Sequence, residues 1–197
     1  NLMDVHRVHG YVLESTRQRC GNALALVSRH QNLRYSWDEL IREARRVGAG
    51  LYALGLDPGD RVGIWSTNCA EWVLLQYACA LSGLVLVNVN PAYRSHELRY
   101  VLKKSRIRIL FLHERDARAD YRRILAESLD GVDCELERAL YLGTRDWQAL
   151  LDAGEEFRPP LILPNDVANI QYTSGTTGSP KGVLLTHRNL INNGRFI

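Results

Sequence analysis

Residues 168–186 read Ala168-Asn-Ile-Gln-Tyr172-Thr-Ser-Gly-Thr-Thr-Gly-Ser-Pro-Lys-Gly182-Val-Leu-Leu-Thr186: an apolar run, a loop of glycine and hydroxyl residues with one lysine, and a second apolar run. Each apolar run is short and bounded by turn-forming residues, the pattern of a buried strand rather than a helix. The segment is therefore expected to fold as strand, loop, strand. Glycine lets main-chain N–H groups approach an anion closely, Ser and Thr add hydroxyl donors, and lysine adds a full positive charge. Thr173, Ser174, Gly175, Thr176, Thr177, Gly178, Ser179, Pro180 and Lys181 are thus the candidate phosphate-binding residues. The loop is not a Walker A motif. Counting from Gly175, Pro180 stands where the second glycine belongs, and Lys181 is followed by Gly182 rather than a Mg²⁺-binding hydroxyl. A Walker A loop also opens a helix, whereas a strand follows here, which argues against a nucleotide hydrolase of that type. An unliganded surface loop would share the composition, but the strict residue order and a strand on either side favour an anion site.

Working outward from this hairpin, strand and helix patterns alternate from Asp57 onward. The expected fold class is α/β, a parallel sheet flanked by helices on both faces. Asp57-Pro-Gly-Asp60 suits a type II turn that launches a strand over Arg61–Trp65. Asn68, with Glu71 three residues on, is read as the cap of a helix over Glu71–Leu81 that is apolar nearly all round. Further strands are expected over Leu84–Val89, Ile107–Leu112 and Ala139–Leu142. Helices are expected over Glu97–Lys104 with Ser95 as cap, over Ala117–Leu129, and over Trp147–Leu151 with Thr144 as cap. Glu155–Pro164, with three prolines, reads as a connector. Before Asp57, Ser36 and Glu39 form a capping-box pair ahead of a helix whose apolar stripe is Leu40, Ala44, Val47, Leu51 and Leu54.

Composition narrows the function class. With 25 basic and 22 acidic residues in 197, the net charge is +3, and no strong field points to nucleic acid or a membrane surface. The densest basic stretch, Arg115, Arg118, Arg122 and Arg123, is interleaved with Asp116, Asp120 and Glu127 and reads as a solvated helix face. The four cysteines show no zinc-like spacing with the six histidines, which fits a reducing compartment. Trp72–Val87 is apolar but interrupted by Gln76, Ser82 and Gly83, and a buried helix followed by a buried strand accounts for it without a membrane span. His187 beside Thr186 reads as a structural helix-start residue rather than a base. His6 and His9 read as surface residues, since no third metal ligand accompanies them, and Trp65, Trp72 and Tyr77 read as core.

Asp166-x-Ala168-x-Ile170-x-Tyr172-Thr-Ser-Gly-Thr-Thr-Gly-Ser-Pro-Lys-Gly182, followed by Thr186-His187 and Asn189, closely resembles the AMP-forming adenylating enzymes. Gly59-Asp-Arg-Val-Gly-Ile-Trp65, Val87-Asn-Val-Asn-Pro-Ala-Tyr-Arg94 and Glu97-Leu-Arg-Tyr-Val-Leu-Lys103 narrow the resemblance to medium- and long-chain fatty acyl-CoA synthetases. It extends from about Leu33 onward and is weakest between Glu114 and Pro164. The resemblance implies part of the large N-terminal domain of such an enzyme. Residues 1–55 would belong to a sister lobe, leaving the apolar stripe without its partner, and 56–197 would form the α/β lobe carrying the loop. It implies ATP, Mg²⁺ and coenzyme A as cofactor and co-substrates. The carboxylic acid would be adenylated with release of pyrophosphate and then passed to the CoA thiol with release of AMP. The Mg²⁺ ligands, the adenylation lysine and the other catalytic groups of the family would lie in a C-terminal part beyond Ile197, so no catalytic residue and no metal ligand is assigned within these residues, which alone would be inactive. The partners are small molecules and that C-terminal part, with no nucleic acid and no integral membrane segment. The expected location is cytoplasmic, or mitochondrial had an upstream targeting sequence been removed. An adenylating enzyme for an aryl or amino acid and a truncated non-catalytic binding module are the two alternatives.

Overall fold

The computed structural model of the chain describes residues 8–173 and 180–195. Gly59 stands at φ +93, and the Asp60 N–H donates to the Asp57 carbonyl at 2.9 Å, the closure and the positive φ that a type II turn requires. This turn delivers the chain into β3 (Arg61–Trp65), the centre of a six-stranded sheet. The other strands are β4 (Val85–Val89), β5 (Ile107–Leu112), β6 (Arg138–Tyr141), β7 (Val167–Thr173) and β8 (Lys181–Thr186), in the order β6-β5-β3-β4-β7-β8. All neighbours are parallel except β7 and β8, which pair antiparallel as the hairpin reading requires.

Helices cover both faces. Alternation along the strands sends Val62, Ile64, Leu86, Ile109 and Phe111 into one core with α2 (Trp37–Ala53), α3 (Ala70–Ser82) and α6 (Arg145–Ala153). Trp65, Val85, Val87, Val89, Leu110 and Leu112 point into the other, with α4 (Ser95–Ser105) and α5 (Tyr121–Leu129). The α/β class with a mainly parallel sheet is what the alternating pattern predicts. Ahead of α2 lie α1 (His9–Cys20) and a separate antiparallel pair, β1 (Leu24–Ser28) and β2 (Leu33–Ser36); α7 (His187–Arg195) follows β8.

The capping box of α2 is present. Glu39 N–H donates to Ser36 Oγ at 3.2 Å, and Ser36 N–H donates to the Glu39 carboxylate at 2.8 Å. The expectation that the α2 stripe lacks a partner is corrected. Leu40, Ala44, Val47 and Leu51 are at most 1% exposed, because α3 and α6 both pack on α2. Glycine makes the second approach close: a Cβ at Gly50 would lie 2.2 Å from the Leu150 carbonyl oxygen.

Three helix starts differ from the sequence reading, two because a distant group draws off the expected cap and one because a local turn forms first. Asn68 does not cap α3. Cys69 occupies the N-cap position, and Gln31, in the β1–β2 turn, accepts from Ala70 N–H at 2.7 Å while donating to Glu71 at 2.7 Å. Ser28 Oγ donates to the same Gln31 oxygen at 2.6 Å. Gln31→Leu is accordingly expected to destabilise the chain by about 1–2 kcal/mol, whereas Asn68→Ala stays within about 0.5 kcal/mol; urea titration of the two variants checks the difference. In α4 the N-cap is Arg94, whose N–H donates to Glu97 at 3.0 Å, and Ser95 instead donates to Glu127 at 2.7 Å. α5 begins at Tyr121 rather than Ala117, since Asp116 accepts from the N–H groups of Arg118 and Ala119 and holds them in a turn, and Asp120 then caps the helix. Thr144 caps α6 as expected, accepting from Asp146 N–H at 3.2 Å.

Of the basic stretch read as one helix face, Arg122 and Arg123 lie on α5 in exposed ion pairs with Glu114 and Glu127, and Arg122 also lies 4.1 Å over the Tyr141 ring, whereas Arg115 and Arg118 precede the helix. Cys20, Cys69, Cys79 and Cys134 are all free. Among the described residues no helix is long and apolar enough to cross a membrane.

Candidate functional site

The β7–β8 ladder starts with Val167 opposite Thr186, shifts register before Asn169, and then runs regularly to Tyr172 opposite Gly182 and Thr173 opposite Lys181. The last pair places a hydroxyl residue and a lysine face to face at the base of the loop. Of the nine candidate residues, Thr173, Pro180 and Lys181 are described; Ser174, Gly175, Thr176, Thr177, Gly178 and Ser179 lie outside the described residues. Thr173 and Lys181 are exposed and Pro180 is buried. Because β7 is parallel to β4, and β4 to β3, this end of the hairpin lies at the carboxyl edge of the parallel strands. In open α/β sheets that edge is where ligands bind.

Beside Thr173, an open cleft of ≈ 240 Å³ is lined by Trp72, Asn88, Val89, Asn90, Pro91, Gln171 and Tyr172. The two strands beside it are unusual for a parallel sheet. Buried parallel strands normally read as near-continuous apolar runs, yet Asn88 interrupts β4 and Asn169 interrupts β7. The register sets Asn88 beside Gln171 and Leu86 beside Asn169. The side-chain Oδ1 of Asn88 and both side-chain polar atoms of Asn169 are buried with no hydrogen-bond partner among the described residues. Sequence reasoning assigned no role to these amides, although their signal was present as polar residues in Val-Leu-Val-Asn-Val and Val-Ala-Asn-Ile. Such groups are costly to leave unsatisfied. Tyr172 is half-buried, desolvation raises its phenol above the ordinary range, and a Cβ at Gly182 would lie 3.2 Å from its ring. Trp65 and Tyr77 pack in the cores as expected, while Trp72 both packs on the core and lines the cleft.

The histidines sit elsewhere. His187 follows the end of β8 remote from Lys181, is fully buried, and so stands away from the loop, in keeping with a structural role. Thr186 caps its helix: Asn189 N–H donates to Thr186 Oγ1 at 3.2 Å, and Thr186 N–H donates to Asn189 Oδ1 at 3.0 Å. The surface reading of His9 is corrected, since its ring is half-buried against His187; His6 lies outside the described residues. Among the described residues no group of three or more His, Cys, Asp or Glu side chains could hold a metal ion.

Three comparisons bear on this geometry. The family model described as AMP-binding enzyme matches residues 13–197. The mitochondrial medium-chain acyl-CoA ligase ACSF2 of Rattus norvegicus is 34% identical over 222 residues, covering 98% of this chain and 35% of that protein. A fatty acyl CoA synthetase of Mycobacterium tuberculosis superposes with a TM-score of 0.80 at 23% identity, covering 93% of this chain and 35% of the other. A long-chain-fatty-acid-CoA ligase (FadD1) from Archaeoglobus fulgidus does so with a TM-score of 0.79 at 26% identity, covering 93% and 37%. The chain therefore spans about a third of the length of the curated relatives it matches.

Proposed function

The chain belongs to the AMP-binding enzyme family, and on that footing we propose that the complete polypeptide uses ATP to convert a fatty acid into an acyl-adenylate and then, with the thiol of coenzyme A, into an acyl-CoA thioester. The first step releases pyrophosphate, the second AMP. In this reading Thr173, Ser174, Gly175, Thr176, Thr177, Gly178, Ser179, Pro180 and Lys181 hold the β- and γ-phosphates. Main-chain N–H groups and hydroxyls align the triphosphate, and the Lys181 ammonium counters charge that grows on the departing pyrophosphate. The observation that supports it most is the antiparallel hairpin whose ladder closes on Thr173 and Lys181 at the carboxyl edge of a parallel sheet.

Magnesium would arrive on the phosphates and lessen their charge, since Mg²⁺ is usually bound by one or two carboxylates plus substrate oxygens and water. The described residues offer no cluster to hold it, so no step on this chain is assigned to the metal. The four free thiols fit a reducing compartment, cytoplasmic or mitochondrial.

These 197 residues supply one wall of such a site. We expect them to bind pyrophosphate weakly, to lose that binding at high salt, and to catalyse no ATP–pyrophosphate exchange. Titration calorimetry with pyrophosphate and an exchange assay on the chain test this. Exchange at the rate of a complete synthetase would overturn the reading.

A further inference from the structure

His9 and His187 begin α1 and α7 and touch across a separation of 178 positions. Their Nδ1 atoms are 2.8 Å apart, and the rings meet edge to face with centroids 4.9 Å apart. Two neutral imidazole nitrogens approach this closely only when one carries a hydrogen and the other a lone pair. The main-chain N–H of His9 also faces His187 Nδ1, at 3.4 Å, and an amide N–H can only donate. His187 Nδ1 is therefore the acceptor, His9 Nδ1 carries the hydrogen, and His187 is the Nε2–H tautomer. That Nε2 is itself buried with no partner among the described residues.

We infer that this pair is a latch, made by two neutral rings in a contact sheltered from water, that holds the start of α1 against the helix leaving the β7–β8 hairpin and is weakened on acidification. Protonating His187 turns its Nδ1 into a donor facing two donors. Protonating His9 places a charge in a half-buried contact beside a fully buried ring. Desolvation accordingly lowers both groups to about 4 from the usual 6.5; His187 adds to the effect on His9, while Asp166 opposes it at His187 without prevailing.

The sign follows. The undocked rings bind protons more readily than the docked ones, so the contact contributes fully above about pH 6.5 and is lost as pH falls towards 4. The ion pairs of α1 lie beyond its first turn. Glu14, whose carboxyl the Arg17 guanidinium holds below the usual range, also pairs with Arg45, and Arg17 reaches Asp38, so the far end of α1 stays tied to α2. Towards α3 the neighbour of Gly10 is Leu81, which does not titrate. Opening thus starts at His9.

Two measurements on the 197-residue chain test this, and neither needs nucleotide. Imidazole ¹⁵N–¹H correlation at pH 7.5 should show His187 protonated on Nε2 and His9 on Nδ1. Amide exchange of α1, corrected for its intrinsic pH dependence, should show an opening constant that rises between pH 6.5 and 5 by about tenfold per pH unit for one proton taken up and about a hundredfold for two. His9→Gln and His187→Asn carry no titrating ring and should flatten that slope. Protection of α1 that does not change with pH in the unsubstituted chain, an undiminished slope in both variants, or His187 protonated on Nδ1 would each overturn the latch. The tautomer measurement and the pH dependence of the unsubstituted chain decide the matter even where a variant fails to fold.

Discussion

Replacing Lys181 with alanine in the complete enzyme is expected to slow acyl-adenylate formation by about 10²–10³-fold while leaving the melting temperature nearly unchanged. The rate effect follows from its place. Lys181 is exposed at the first position of β8, opposite Thr173, and on the proposed function its cation would meet charge that grows in the transition state. Removing one such preorganised group typically costs about 2.7–4 kcal/mol of barrier. The small stability effect follows from the same exposure, because surface substitutions away from caps and cores stay within about 0.5 kcal/mol. Single-turnover adenylation measured beside a thermal melt separates the two quantities. Equal losses in rate and stability would indicate a folding residue, and an unchanged rate would remove Lys181 from the site.

Gly50→Val should be the most damaging single change in the helical layer, with a loss of about 3 kcal/mol. Helix propensity alone predicts the opposite sign, since glycine inside a helix costs about 1 kcal/mol relative to alanine. Contact decides. A Cβ at Gly50 would lie 2.2 Å from the Leu150 carbonyl oxygen, and one at Gly154 would lie 2.6 Å from Gly50 N, so both backbones fill the crossing of α2 and α6 and neither has a flexible end to yield. At about 2–4 °C per kcal/mol for a chain of this size, the melting temperature should fall by about 6–12 °C. Gly10→Ala is the matched control, because its Cβ meets only Leu81, at 3.7 Å. It should be neutral or slightly stabilising, and a Gly50 variant that melts with it would refute the crossing as the cause.

What could be read from the sequence was whatever local chemistry determines. The Pro-Gly turn before β3, the Ser36–Glu39 box, the Thr144 cap and the order of strands and helices from Asp57 onward depend on neighbours in the chain, and the structure shows each of them. Most departures share one physical origin, a partner far away in sequence; the late start of α5 is the local exception, set by the Asp116 turn. Gln31 displaces Asn68 at the start of α3, Glu127 draws off Ser95, and α3 with α6 supplies the cover that the α2 stripe was thought to lack. α1, β1 and β2 were not foreseen at all. β1 and β2 pair through a tight turn in which Asn32 takes φ +52, a conformation Asn tolerates better than most residues but seldom announces. At the candidate site, glycine, hydroxyl and lysine in fixed order pointed to the loop. The buried amides of Asn88 and Asn169 came to notice only once the strands were in register, since burial is a property of the sheet and not of the tripeptide.

The strand order also has a consequence for how the chain is made. β4 completes its pairing only when β7 arrives, roughly 80 residues later. At about 5–20 residues per second of synthesis, the ribosome needs about 4–16 s to deliver that partner. As β5 and then β6 join β3 and β4 during this interval, the outer rim of β4 presents unpaired peptide groups to whatever strand drifts past. Nascent chains stalled shortly before Val167 should therefore be the ones that chaperones capture and that self-associate when chaperones are scarce.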